Sequence, residues 1–310
     1  MINMISKSNV KTYFGFLLLA FFASYTTYFI FFTDNDYLEF YKKILEFNGN
    51  APDQYRIIPY LLMKPIIHVF SLKLNFFTAF KLTIIIFNTI FLFMTFLLLS
   101  KLIKNIHTSI LFVIFIGFSM FYPLAMFSGP RPVTAFYIFL ISLYFFLFSK
   151  EKELTLPLVT VYILLAFSRP DLAMVVLIST IFYIHGKYHI LKAILLFLLP
   201  IISHLLTSKI IFPNAVYYCK KIMLYDNISL NFIVHTPGTY LVVAVFLLFY
   251  QSIKQMVQLT ISKYKYFYIA ITLYLLVIFV VGRINELRLY LPFFPMVLYM
   301  LNKNKGNYSA

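Results

Sequence analysis

Apolar runs of about 20 residues, separated by short polar breaks, recur along the whole of this chain, the pattern of a polytopic helical membrane protein. The runs predict helices at about Tyr13–Phe32, Phe76–Leu99, Ser109–Phe127, Val133–Phe148, Leu154–Phe167, Leu172–Ile184, Ile190–Phe212, Tyr240–Tyr250, Tyr266–Val281 and Leu291–Leu301. The expected fold is all-α: one integral membrane domain over residues 1–310, a transmembrane bundle of roughly ten spans. The stretch after MINMISKSNVK is basic and then apolar, but its apolar run is long enough to span, so it is read as the first helix and not as a signal peptide.

The polar intervals carry their own pattern. With the N-terminus inside, residues 33–75 form a long outer loop. Its first part, TDNDYLEFYKKILEF, repeats Tyr37, Phe40, Tyr41, Ile44 and Leu45 at helical spacing and predicts a short amphipathic helix. Asn48-Gly49-Asn50-Ala51-Pro52 reads as a turn. The following IIPYLLMKPIIHVF is too short to span and carries Pro59 and Pro65, so it is expected to lie on the outer surface. A second outer loop is expected at 213–237. The fifth and sixth helices are short and meet at Ser168-Arg169-Pro170-Asp171, which puts Arg169 and Asp171 below the outer headgroup plane, where a charge needs a partner or water.

Composition agrees with the pattern: 62% of the 310 residues are hydrophobic, only 12% are charged, and mean hydropathy is +0.88. No segment is polar enough to be a soluble domain. The net charge of +16 is spread over short loops, which suits topology and anionic lipid and not nucleic acid. Cys219 is the single cysteine, so neither an intrachain disulfide nor a cysteine metal site can form.

Lysine dominates the expected inner loops. All five arginines, Arg56, Arg131, Arg169, Arg283 and Arg288, fall on the expected outer side, together with eight of the ten acidic residues. Positive-inside sorting treats the two cations alike, so segregated arginine points to use of the guanidinium fork on phosphate or carboxylate. Two Arg-Pro pairs, in Gly129-Pro130-Arg131-Pro132 and Ser168-Arg169-Pro170-Asp171, each open an inward-running helix. Proline suits the first helical turn, and free N–H groups beside an arginine make an anion seat. Arg283 and Arg288 before Pro292 suggest a third. The plainer alternative is that these arginines snorkel to the interface and mark helix ends.

Asp34-Asn35-Asp36, with Glu39 one turn on, could act as a general base toward a hydroxyl, hold a divalent cation, or simply stop the first helix in water. No cofactor is required. Asp171 beside Arg169 and Glu286 between Arg283 and Arg288 read as ion pairs that orient their arginines. His185 and His189 lack a third ligand, His235 is a candidate substrate contact, and His204 reads as a helix–helix hydrogen bonder.

These positions together resemble the type C glycosyltransferases, polytopic membrane enzymes that use polyprenyl-phosphate sugars. The carriers of the resemblance are Asp34 and Asp36 after the first helix, Tyr55-Arg56-Ile57-Ile58-Pro59, Arg169-Pro170-Asp171, and Glu286-Leu287-Arg288 before Pro292 and Pro295. The chain is short for that superfamily, and nothing corresponds to the large outer domain of some relatives. The resemblance implies transfer of a sugar to a glycan or glycolipid hydroxyl at the outer face of a bacterial cytoplasmic membrane. Arg169, Arg288, Arg131 and Arg283 would hold the donor phosphate. Asp36 or Asp34 would be the base, with inversion at the anomeric carbon. Arg56, Glu39, Asp171 and Glu286 would contact the acceptor or brace the loop. The rivals are a surface polysaccharide polymerase or ligase, a flippase or transporter of lipid-linked sugar, and a non-catalytic membrane partner.

Overall fold

The computed structural model describes residues 7–31, 36–49, 53–102, 132–150, 153–184, 189–215, 264–281, 290 and 293–305. Among these residues every regular element is helical. They are α1 (Lys7–Phe31), α2 (Asp36–Leu45), a 3-10 turn (Asp53–Arg56), α3 (Ile58–Ser71), α4 (Phe76–Leu102), α5 (Pro132–Lys150), α6 (Leu156–Ser168), α7 (Pro170–Thr180), α8 (His189–Leu205), α9 (Lys265–Val281) and α10 (Phe293–Lys305). A 3-10 turn, Ile181–Tyr183, ends α7, and a π turn, Leu206–Ile211, extends α8. The expected helices at Ser109–Phe127 and Tyr240–Tyr250 lie outside the described residues, as does most of the 213–237 loop.

Apolar runs set the helices, and local chemistry sets their ends. Asn75 caps α4 by accepting the Thr78 N–H at 2.8 Å. Proline opens α3, α6 and α7, where its missing N–H is not needed. The amphipathic α2 ends in a Schellman arrangement: Asn48 N–H donates to Lys43 C=O at 2.8 Å and Phe47 N–H to Ile44 C=O at 3.2 Å. Its left-handed residue is Phe47, with φ 62°. That position favours glycine, and the Phe47 ring is held 5.4 Å from the ring of Phe212 instead.

The core sits around α5, which packs on α3, α4, α6 and α10. Its Tyr137, Tyr144, Phe145 and Phe148 are fully buried. The second centre is α7, enclosed by α6, α8 and α9. Several hydroxyls inside this apolar body are satisfied locally. Ser142, Thr180 and Thr207 each donate to the carbonyl four residues back. Tyr144 and Thr180 share a 2.9 Å hydrogen bond that ties α5 to α7.

Two described stretches, Phe76–Leu102 and Leu191–Ile211, are long and apolar enough to cross a membrane. They differ in setting: 61% of the first is buried inside the protein, against 22% of the second. The outward sides of α1, α8 and α9 are apolar, with Phe14, Phe22, Leu195, Ile202, Leu276 and Val277 each at least half exposed. Helices α6 and α7, with 13 and 11 residues, are about 20 Å and 16 Å long at 1.5 Å per residue, well short of a hydrocarbon core of about 30 Å.

Candidate functional site

A single residue, Arg169, joins α6 to α7. Its N–H closes α6 by donating to Leu165 C=O at 2.7 Å, and its C=O accepts the first bond of α7 from Ala173 N–H at 3.0 Å. It therefore caps both helices, with φ −150° and ψ 82°. Pro170 excludes the helical conformation at the preceding residue, which is why the chain breaks here. The break places Asp171 in the first turn of α7, where a carboxylate is favoured.

The Arg169 side chain turns back on Asp171. Nε donates to Oδ1 at 2.9 Å and Nη2 to Oδ2 at 2.5 Å. The guanidinium carbon lies 5.0 Å from the ring centre of Tyr137 on α5. Arg169 is only 6% exposed, whereas the Asp171 side chain is 41% exposed. The pair is thus held from the buried side and presents its carboxylate outward. The phosphate seat expected at Arg169 has its fork occupied by Asp171, which is the orienting ion pair that Arg-Pro-Asp suggested.

Asp171 opens onto a cavity of about 430 Å³. The wall is built from three distant stretches: Tyr55 and Arg56 of the 3-10 turn, Pro170, Asp171 and Met174 of α7, and Pro200, Ile201, His204 and Leu205 of α8. The 3-10 turn reaches this place because it packs on α6. Tyr55 is pinned by α8, its ring edge-on to His204 at 5.8 Å and stacked with Phe212 at 6.5 Å. The volume falls in the range of small-ligand sites, roughly 300–1,000 Å³, and the wall is almost wholly apolar.

Pro200 shapes α8 at this wall. Proline has no N–H to give the carbonyl four residues back, here Leu196. The buried hydroxyl of Tyr162 on α6 donates to that carbonyl at 3.1 Å. Ser203 Oγ donates to Ala166 C=O at 2.9 Å, a second tie from α8 to α6. The freed carbonyl is thereby satisfied, and α8 is fastened beside the Arg169 hinge.

Two other expected site residues lie on α2. Glu39 is exposed on α2 and pairs with Lys43 at 2.8 Å, which lowers its carboxyl below the usual range. Asp36 is the first residue of α2. Asp34, Arg131, Arg283, Glu286 and Arg288 lie outside the described residues, with His185, His235 and Cys219. Among the described residues no three His, Cys, Asp or Glu side chains gather in a way that could hold a metal ion. The structure places Arg56 and Asp171 in the wall of one cavity, with Arg169 behind it bonded to Asp171, and adds Tyr55 and His204 to that wall. No family model, curated protein or solved structure matches this chain.

Proposed function

We propose that this chain is a polytopic membrane glycosyltransferase. It moves a sugar from a polyprenyl-phosphate donor to an acceptor hydroxyl of a glycan or glycolipid, at the outer face of a bacterial cytoplasmic membrane. The observation that carries the reading is an apolar-walled cavity whose lining residues, Arg56, Asp171 and His204 among them, come from three separate stretches of chain. Support for the membrane setting comes from the two long apolar helices and the apolar outer sides of α1, α8 and α9.

The chemistry divides among the residues as follows. Arg56 and His204 donate to the phosphate oxygens of the donor, where charge grows as the bond breaks. Asp171, steadied by Arg169, accepts hydrogen bonds from sugar hydroxyls. A carboxylate of the first outer loop, Asp36 or Asp34, takes the proton from the acceptor hydroxyl. The acceptor oxygen attacks the anomeric carbon from the side opposite the phosphate. The carbon–oxygen bond to phosphate breaks, and polyprenyl phosphate leaves with the electron pair, inverting the centre. Arg131, Arg283 and Arg288 are the further candidates for the leaving phosphate.

The test is sugar transfer by the purified chain in proteoliposomes, with synthetic polyprenyl-phosphate sugars as donors. Arg56→Ala and the variant of whichever aspartate is the base lose transfer, at normal expression and elution. Full activity in Asp34→Ala, Asp36→Ala and Arg56→Ala together removes the reading. A product longer by many sugars assigns the chain to polymerisation instead.

A further inference from the structure

The exposed side of α3 is apolar along its middle and basic at its margin. Leu61, Leu62, Pro65, Val69 and Leu72 are all exposed, and on a helical wheel they fall within an arc of about 100°. Lys64 and His68, also exposed, run along one edge of that arc, and exposed Lys73 follows it in the bend to α4. The opposite side, with Tyr60, Met63 and Ile67, is buried, and α3 packs on α4. With 14 residues the helix is about 21 Å long, too short to cross a hydrocarbon core of about 30 Å.

We propose that this face lies in the membrane–water interface and binds anionic phospholipid in preference to zwitterionic phospholipid. The inference rests on the membrane setting of the proposed function and not on sugar transfer. Three observations choose this occupant. Pro65 stands inside the helix, on the exposed face, and has no N–H to give Leu61 C=O. A carbonyl deprived of its helical donor is costly in hydrocarbon, whereas water at the interface can supply one. In α8, by contrast, the carbonyl freed by Pro200 is served by Tyr162 from within the protein. The charge is also one-sided. The sequence has no acidic residue between Asp53 and Glu151, so the cations of α3 and its bend have no acid on their own stretch. The exposed acids of α2, Glu39 and Glu46, share that helix with Lys42 and Lys43, and Glu39 is held by Lys43. Finally, an apolar arc with lysines at its margin suits one amphiphile: the arc meets acyl chains, and the lysine stems reach up to the phosphates.

The chain has no tryptophan, so a single introduced indole reports on one place alone. The full chain is reconstituted in phosphatidylcholine vesicles. Brominated phosphatidylcholine or brominated phosphatidylglycerol is added at equal mole fraction, with bromine near the head group or near the chain end. The reporters are Val69→Trp and Leu72→Trp on α3, with Leu273→Trp on the exposed side of α9 as the ordinary lipid-facing control. Quenching of both α3 reporters is expected to be stronger from bromine near the head group, and to give phosphatidylglycerol about a fivefold higher association constant, the worth of one lysine near an anionic surface. Leu273→Trp shows no such preference. Adding Lys64→Gln and Lys73→Gln brings the ratio at α3 to about one and leaves the depth of quenching unchanged. Equal association of the two lipids at both α3 reporters overturns the proposal, as does a preference that survives loss of both lysines. Stronger quenching from the chain end overturns the interfacial placement. Quenching at Leu273→Trp but at neither α3 reporter means that water, a partner protein or a second copy covers this face, and overturns it too. No quenching at any reporter removes the membrane setting along with it. Loss or presence of sugar transfer changes none of these readings.

Discussion

Replacing Tyr162 by phenylalanine removes one oxygen atom from a fully buried side chain and leaves the ring in place. The hydroxyl is the partner found for Leu196 C=O, and Pro200 rules out the usual helical donor to that carbonyl. Two magnitudes compete. An ordinary side-chain hydrogen bond between membrane helices averages about 0.6 kcal/mol, because alternative partners are found when it is lost. A buried carbonyl left with no partner costs about 1–3 kcal/mol. Since Pro200 cannot supply an N–H, the second case applies, and Tyr162→Phe is expected to cost about 2 kcal/mol. For a chain of this length that is a fall of about 3–4 °C in the midpoint of thermal unfolding, measured by circular dichroism in micelles. The same substitution in a Pro200→Ala background should cost less than about 0.6 kcal/mol, because an alanine there has an N–H to donate to Leu196 C=O along the helix. An equal cost in both backgrounds, or no cost in the first, refutes the argument that proline created the need for the tyrosine.

Other outcomes can be checked on the same footing. Tyr41 is buried among Tyr60 and Phe80, and its hydroxyl has no partner among the described residues, so burial raises its pKa and keeps it neutral. Tyr41→Phe should therefore leave the unfolding midpoint unchanged or raise it, and a clear fall would show a bond to the hydroxyl. Phe47→Gly and Phe47→Ala both lose the contact with Phe212, but only glycine removes the left-handed strain; glycine should be the more stable by about 1 kcal/mol in a thermal melt. Asp171→Asn leaves a buried guanidinium without its carboxylate. The half-exposed position moderates the loss to about 2–3 kcal/mol, again read from the melting midpoint. Arg169→Lys should not restore the pair in the same melt, since a lysine can neither bond both carboxylate oxygens from one plane nor stack on Tyr137.

Much of the helical layout is legible in the sequence because most of the helices are apolar along nearly their whole length. The breaks fall where polar residues and prolines interrupt it, as at Ser168–Asp171 and between Leu45 and Asp53. The site is only partly legible. Arg169 reads as an anion seat because an arginine beside a helix start usually offers its fork outward, but Asp171 two residues on takes that fork first. The signal is present in the triplet Arg-Pro-Asp, and only coordinates show which way the side chain turns. His204 reads as a helix–helix hydrogen bonder because its place on a helix does not reveal what stands opposite. What stands opposite is Tyr55, brought there by the packing of a four-residue turn against α6. Pro200 is the further clue, since a proline inside an apolar run announces a carbonyl in need of an outside donor.

The one-residue joint at Arg169 has a consequence for how this chain can vary. A helix turns by about 100° per residue, so lengthening the joint by one residue would swing the whole inventory of α7 to a new bearing. Asp171 would leave the cavity wall, and the aligned set Leu172, Val176 and Ser179 would rotate out of the core they now fill. Length at this hinge is therefore an angular setting, and an insertion there should be tolerated far less well than one in the exposed bend at Ser71–Leu74.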